Sequence, residues 1–426
     1  MKKYMLQIIL GALILGVCVG YAVYQSFDAT QAKDIASYFE LISALFLRLI
    51  KMIIAPLVFS TLVVGIAHMG DSSSVGRIFV KTMAWFISAS VVSLLIGLVM
   101  VHILQPGAHL NMPLPETSAA TGLKTSAMSL QNFAEHLVPR SVVEAMATNE
   151  ILQIVVFSVF FGIAVSSLGE KGKLITSAID EVAHAMLIVT GYVMQFAPLA
   201  VFSAVAAVVS KQGLAILAVF AKFIGGFYLS LVVLSVVLIG AAFLVLGGRV
   251  FRLLELVREP TLLAFSTASS EAAYPKTLEG LEKFGVPNSI ASFVLPMGYS
   301  FNLDGSMMYC TFASLFIAEV YNIDLSLGTQ LLLLLVLMLT SKGMAGVPRA
   351  SLVVLAATLT QFSIPESGVL LIMGIDQFMD MGRSATNVIG NSLASAAVSR
   401  WEGALGPEKS GEADDAFIDE TAPAAT

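Results

Sequence analysis

The stretch 376-DQFMDMGRSATNVIGN-391 lies inside an otherwise apolar run from Gly368 to Trp401, long enough to cross a bilayer. It carries two aspartates, an arginine and two asparagines. At about 3.6 residues per turn, Asp376, Asp380, Arg383, Ser384, Asn387 and Asn391 share one helical face. An ionisable side chain at bilayer depth costs roughly 2.5–3.5 kcal/mol on insertion scales, so that face must look at protein or at a wet cavity.

The rest of the chain agrees. Of 426 residues, 57% are hydrophobic and 12% charged, and the mean hydropathy is +0.87. That composition belongs to a polytopic all-α membrane protein. Spanning runs of roughly 20 apolar residues are predicted near 5–24, 42–67, 82–104, 150–167, 182–208, 214–246, 288–320 and 368–401, giving eight transmembrane helices. The start MKKYMLQIILGALILGVCVG reads as a retained first helix, because its apolar run is long and no small-residue cleavage site ends it. Cys18 and Cys310 fall in different apolar segments, so neither a disulfide framework nor a metal knuckle is expected. The net charge of −6 owes much to the acidic end of the chain. We expect disorder there and no nucleic-acid partner.

With the N-terminus inside, the inner segments hold Lys2, Lys3, Arg77, Lys81, Lys171, Lys173, Arg249, Arg252, Arg258, Lys276, Lys283, Arg400 and Lys409, and the outer ones only Lys33, Lys124, Arg140 and Lys211. This fits the positive-inside rule and puts both termini in the cytoplasm.

Two further apolar stretches are broken, around 261-TLLAFSTASSEAAYP-275 and 340-TSKGMAGVPRAS-351. Irregular backbone survives at bilayer depth only where it is buried in protein or lines a cavity. Both read as re-entrant helical hairpins, the halves of an inverted repeat, which points to a transporter's binding site. For 330–362 the competing reading is a pair of short helices kinked at Pro348. Between the hairpins, 295-LPMGYSFNLDGSMMY-309 places Asn302 and Asp304 between Gly298 and Gly305. This implies an unwound turn whose carbonyls and carboxylate suit a small cation; a buried structural hydrogen bond for Asp304 is the bland alternative. Arg383 suits a ligand carboxylate and Asp380 a protonated amino group, with Ser270 and hairpin N–H groups taking a second carboxylate. An ion pair joining two helices is the competing reading of Asp380 and Arg383. An intramembrane aspartyl protease built on Asp304 and Asp380 is disfavoured, because Arg383 sits one turn from Asp380. No enzymatic activity is expected.

Together the motifs 44-ALFLRLIKMIIAPLVFSTLVVGI-66, 265-FSTASSEAAYP-275, 298-GYSFNLDGS-306, 341-SKGMAGVP-348 and 379-MDMGRSATNVIGN-391 resemble the dicarboxylate/amino acid:cation symporter family, the glutamate transporters. The resemblance implies a homotrimer in a bacterial inner membrane, with no cofactor, importing a small acidic amino acid or dicarboxylate. It implies scaffold helices in 1–73 and 147–210 and an extracellular loop over 108–146. A transport domain of 74–107 and 211–404 slides as an elevator, and 405–426 forms a disordered acidic cytoplasmic tail. Ser269, Ser270, Ser306, Val347, Asp380, Arg383, Ser384 and Asn387 are implied as the substrate pocket, with the aspartate at 380 pointing to glutamate or aspartate. Ser90, Glu271, Gly298, Ser300, Asn302, Asp304, Ser341, Asn387 and Asn391 are implied as the coupling residues.

The chain departs from sodium-coupled members. Asn391 stands where they have an aspartate, and Phe86 and Ala89 where they have a tyrosine and a threonine, leaving Ser90. Na+ at Asn302 and Asp304 is thereby the alternative, and H+ the expected coupling ion, as in the proton/glutamate branch. Desolvation penalises a charged carboxylate at bilayer depth, so Asp304 and Glu271 are the candidate proton carriers, with Asp376 a third. Arg349, at the second hairpin, is expected to meet headgroups or solvent; a second carboxylate contact is the alternative.

Overall fold

The computed structural model describes residues 5–69, 72–107, 138–213, 220–341, 350–373 and 375–408. Those residues are helical and contain no strand. The helices run in order α1 Met5–Ser26, α2 Ala29–Met69, α3 Ser72–Leu104, α4 Val142–Thr148, α5 Ile151–Ser167, α6 Lys173–Met194, α7 Ala197–Gln212 and α8 Ala221–Leu246. They continue as α9 Arg249–Leu256, α10 Arg258–Thr267, α11 Tyr274–Phe284, α12 Asn288–Phe301, α13 Asp304–Val320, α14 Leu327–Thr340, α15 Ala350–Gln361, α16 Val369–Met373 and α17 Asp376–Trp401.

Five of the described helices are long and apolar enough to cross a membrane by themselves: those at α1, α2, α3, α6 and α8. The rest of the expected spans fall short for physical reasons. The span 288–320 is broken between α12 and α13, as the sequence predicts, and α17 is too rich in polar side chains, with its asparagines, serines and charges, to be apolar. The span expected at 182–208 is a correction: it is two helices, α6 and α7, that part at Gln195 and Phe196. Pro198 occupies the first turn of α7, where its missing N–H costs nothing but forbids continuation from α6. The polar start of α2 makes it far longer than the apolar run 42–67. Pro56 is absorbed within α2, where Ser60 Oγ returns a hydrogen bond to the Pro56 carbonyl at 2.7 Å.

Close approach of helices rests on small residues. On α1, a Cβ at Gly16 would stand 2.7 Å from the Phe202 carbonyl of α7, and one at Gly20 would stand 2.7 Å from that of Ala206. This is the small-residue packing of membrane helices. The flanks meeting lipid are apolar, with Leu244, Val236 and Val232 of α8 and Leu339 of α14 exposed. The inward faces of α12, α13 and α17 are almost wholly buried, so the polar residues of these three helices share one interior.

The disordered tail was expected to start at 405, yet the chain through Glu408 is held by hydrogen bonds. Residues 108–137 of the expected loop and 409–426 of the tail lie outside the described residues, as do 342–349, including Val347 and Arg349. Within the loop as expected, α4 already begins at Val142.

Candidate functional site

The polar face of α17 is a helical row whose members find each other. Arg383 is buried, and its Nε donates to Asp380 Oδ1 at 2.6 Å. A terminal guanidinium nitrogen lies 3.4 Å from Asp376 Oδ1, two turns back. Tyr309 of α13 donates its hydroxyl to the same Asp376 oxygen at 2.9 Å, and the guanidinium carbon sits 4.6 Å from the centre of the Tyr309 ring. The arginine is thus fixed by two carboxylates and an aromatic face. Ser384 Oγ donates to Asp380 Oδ1 at 3.3 Å. Of the two aspartates, Asp380 is the open one, its side chain 27% exposed against 4% for Asp376. An incoming carboxylate can therefore compete with Asp380 for Arg383 without disturbing the buried Asp376 and Tyr309.

One helix away, α12 ends at Phe301 and α13 begins at Asp304, with Asn302 (φ −123°, ψ 62°) and Leu303 (φ −96°, ψ 61°) outside helical geometry. This is the predicted unwound turn. Asn302 Nδ2 donates to Asn391 Oδ1 at 2.9 Å, and Asn302, Asp304 and Asn391 are fully buried. Two glycines make the space: a Cβ on Gly390 would run into the Asp304 carboxylate, and one on Gly298 into the Asn391 amide. Asn302 Oδ1, Ser300 Oγ and Asn391 Nδ2 are buried without a hydrogen-bond partner among the described residues. The two oxygens have the chemistry to ligate a small cation or accept from a water, whereas the Asn391 amide nitrogen can only donate. No group of three or more acidic, histidine or cysteine side chains among the described residues could hold a metal ion.

Asn387 joins the two halves. Its Oδ1 accepts the Gly305 N–H at 2.8 Å, satisfying one of the free amides at the start of α13, and its Nδ2 lies 3.4 Å from Ser306 Oγ. A Cβ at Gly305 would stand 2.5 Å from the Arg383 carbonyl, so α13 starts against the backbone that carries the arginine.

The remaining expected residues are more dispersed. Ser269 and Ser270 lie in the turn between α10 and the 3-10 turn Glu271–Ala273, where Ser269 Oγ accepts the Ala272 N–H at 3.3 Å. They and Glu271 are half-buried. α10 packs along α17, which brings this turn to the polar helix. Ser90 is buried on α3 beside Phe86 and Ala89, on a helix packed against α13. Ser341 follows α14, its Oγ 3.4 Å from Met307 Sδ. The sequence reading missed Tyr309, Gly390 and Tyr228. Tyr228 donates its hydroxyl to the Phe378 carbonyl at 2.6 Å, and its ring lies 2.9 Å from where a Cβ on Gly382 would stand. A tyrosine following a run of polar membrane residues was the available signal for Tyr309.

The model of the sodium:dicarboxylate symporter family matches residues 5–401, a stretch that holds both polar clusters and the helix break between them. The chain belongs to this family. Among relatives of this symporter, the proton/sodium-glutamate symport protein of Bacillus caldotenax is 41% identical over 408 residues, 95% of each chain. That of Bacillus subtilis is 40% identical over 408 residues, 95% of this chain and 94% of the relative. The C4-dicarboxylate transport protein of Citrifermentans bemidjiense is 39% identical over 422 residues, 97% of this chain and 94% of the relative. The family is one of transporters, which agrees with the buried charges and the absence of any enzymatic expectation from the sequence.

Proposed function

We propose that this symporter imports glutamate or aspartate with protons, through an elevator motion in a homotrimer at the bacterial inner membrane. The observation that carries the substrate is Arg383 held between an open Asp380 and a buried Asp376. A substrate side-chain carboxylate takes the guanidinium in Asp380's place, and the freed Asp380 receives the substrate ammonium. Each charge then gains a partner as another is lost. The turn holding Ser269 and Ser270 supplies N–H groups for the α-carboxylate, and Ser306, Ser384 and Asn387 flank the ligand. In this reading α10–α11 and α14–α15 are the hairpins, α1, α2 and α5–α7 the scaffold, and α3, α8–α17 the moving domain.

The absent carboxylate at 391 supports the proton as coupling ion. Asn391 spends its oxygen on Asn302, and Phe86 and Ala89, buried on the same helix as Ser90, have no side-chain oxygen. Asp304 and Glu271 are the carriers in this scheme. The second reading is a sodium-coupled importer of aspartate or C4-dicarboxylates; Asn302 Oδ1 and Ser300 Oγ, buried oxygens that no described residue hydrogen-bonds, favour it as cation ligands.

The experiment is uptake of labelled glutamate, aspartate and succinate into proteoliposomes under a proton gradient or a sodium gradient imposed separately. Proton-driven glutamate accumulation without sodium is expected. Strict sodium dependence, or succinate preferred to glutamate, overturns the first reading in favour of the second.

A further inference from the structure

The residues after α17 form a strap across the turn that joins α11 to α12, which in the proposed function is the base of the first hairpin. The chain leaves α17 at Trp401 and turns at Gly403 (φ +69°), and the Ala404 N–H returns to the Ser399 carbonyl at 3.0 Å. Leu405 packs on the main core. The Gly406 N–H then donates to the Gly285 carbonyl at 2.9 Å.

Gly285 ends α11 in the left-handed region (φ +103°), and a Cβ there would stand 2.6 Å from the carbonyls of both Gly406 and Pro407. Glycine at 285 thus serves the helix end and the strap together. Above the crossing lies Arg249, the first residue of α9. One of its terminal nitrogens donates to the Phe284 carbonyl at 3.0 Å and to the Gly406 carbonyl at 2.9 Å, and its guanidinium stacks 4.8 Å from the Phe284 ring centre. Arg252, one turn on, ties Glu408 with Nε at 2.7 Å. At the other end of the strap, Glu402 accepts from Arg77 at 2.8 Å and pairs with Lys81 at 2.7 Å, both on α3.

We propose that Arg249 is a positioning residue for the first hairpin. By clamping the strap Ala404–Glu408 onto the Phe284–Gly285 turn, it fixes the hairpin base to the end of α17, and so fixes the Ser269–Ser270 turn relative to Arg383 and Asn387. The same guanidinium caps the carbonyl end of α11 and reaches the chain beyond α17, so α9, α11 and α17 move as one piece. Loosening the base frees the far end of the hairpin, where Ser269 and Ser270 sit, and weakens the substrate's hold. This rests on the transport reading for its consequence in uptake, but the clamp itself is read without transport.

The test compares the chain ended after Leu405, which keeps every helix and removes Gly406 and Glu408, with the chain ended after Glu408, which keeps the strap. Gly285→Ala and Arg249→Gln are the point variants. A cysteine probe at the hairpin turn, Ser269→Cys in a Cys18→Ser, Cys310→Ala background, is labelled with an impermeant maleimide in inside-out vesicles, and KM for glutamate is measured in parallel without the probe. Ending after Leu405, Gly285→Ala and Arg249→Gln are each expected to speed labelling and raise KM by about ten-fold, the worth of one charge-assisted hydrogen bond. Ending after Glu408 is expected to change neither. A merely structural strap lowers the amount of protein in the membrane and the maximal rate, with labelling and KM at parent values; that result overturns the proposal. Should the point variants fail to accumulate, the truncation pair decides alone. A parent that labels normally but takes up no glutamate sinks the transport reading and leaves the clamp to be judged on labelling.

Discussion

The two polar clusters on α17 are built on opposite plans. Toward its start, Arg383, Asp380, Asp376 and Tyr309 hold one another by charge, and one member, Asp380, stays open. Toward its end, Asn302, Asn391 and Asp304 are fully buried and shaped by the glycines at 298 and 390, and Asn302 Oδ1 is left without a hydrogen-bond partner among the described residues. The first cluster is adapted to exchange partners, because its ion pairs can be replaced one for one by those of a ligand. The second is adapted to accept a small occupant, because its space is fixed by backbone and admits little rearrangement. In the proposed function, substrate chemistry belongs to the charged cluster and ion chemistry to the amide cluster.

On that division, Arg383→Ala removes the cation that Asp376 and Asp380 share. Glutamate binding is expected to weaken by about 100-fold or more, measured by calorimetry on purified protein; near-normal affinity breaks the assignment. At the amide cluster, Gly390→Ala drives a methyl group into the Asp304 carboxylate. It is expected to cost about 1–3 kcal/mol of stability, whereas Gly240→Ala, whose Cβ meets nothing within 4 Å, is expected to be neutral or to stabilise by up to about 1 kcal/mol. Thermal unfolding in detergent compares them, and equal melting points would show that the cradle is not tight.

Asp380→Ala sharpens the comparison by chemistry. It is expected to weaken glutamate binding about ten-fold while leaving succinate unchanged or improved, since succinate has no ammonium to pair. A parallel loss for both ligands means Asp380 acts only by orienting Arg383. At the other cluster, Asn391→Asp restores a carboxylate beside Asn302 and Asp304; sodium is expected to stimulate uptake a few-fold, and sodium indifference places the cation elsewhere.

The smallest effect lies outside both clusters. Burial pushes the Glu402 carboxyl up, but Lys81 and Arg77 outweigh it and hold it below the ordinary carboxylate range. A depressed carboxylate stabilises the fold above its unfolded value, about 4.3, and loses that contribution as the pH falls through the folded value. Glu402→Gln is therefore expected to lower stability by no more than about 1 kcal/mol at neutral pH, with the gap closing below about pH 4. A gap that widens on acidification reverses the sign and refutes the assignment.

The site was more legible than the architecture around it. Asp304, Asp380, Arg383, Asn387 and Asn391 stood out because a bilayer leaves a buried charge or amide few reasons to exist. The break at Asn302 was readable from the flanking glycines. The parting of α6 from α7 was hidden by an apolar run that continues across Pro198, since hydropathy records composition and not backbone continuity. The strap was hidden for the opposite reason. Residues 405–408, Leu-Gly-Pro-Glu, show no helical period and lead straight into the acidic chain beyond them, and the carbonyls that Arg249 seeks carry no side-chain signature. Tyr309 and Gly390 matter through contacts made across helices, which no periodicity reveals.

The break between α12 and α13 carries one more consequence. Each helix has an electric direction, with roughly half a negative charge at its carbonyl end and half a positive charge at its amide end. At Asn302 and Leu303 the two ends meet within two residues, so a single interruption offers both signs of field side by side. A cation drawn to the end of α12 and an anionic group drawn toward the start of α13 then screen each other, and each lowers the cost of holding its neighbour. In the proposed function, the backbone break thus lays an attraction for a cation next to an attraction for an anion.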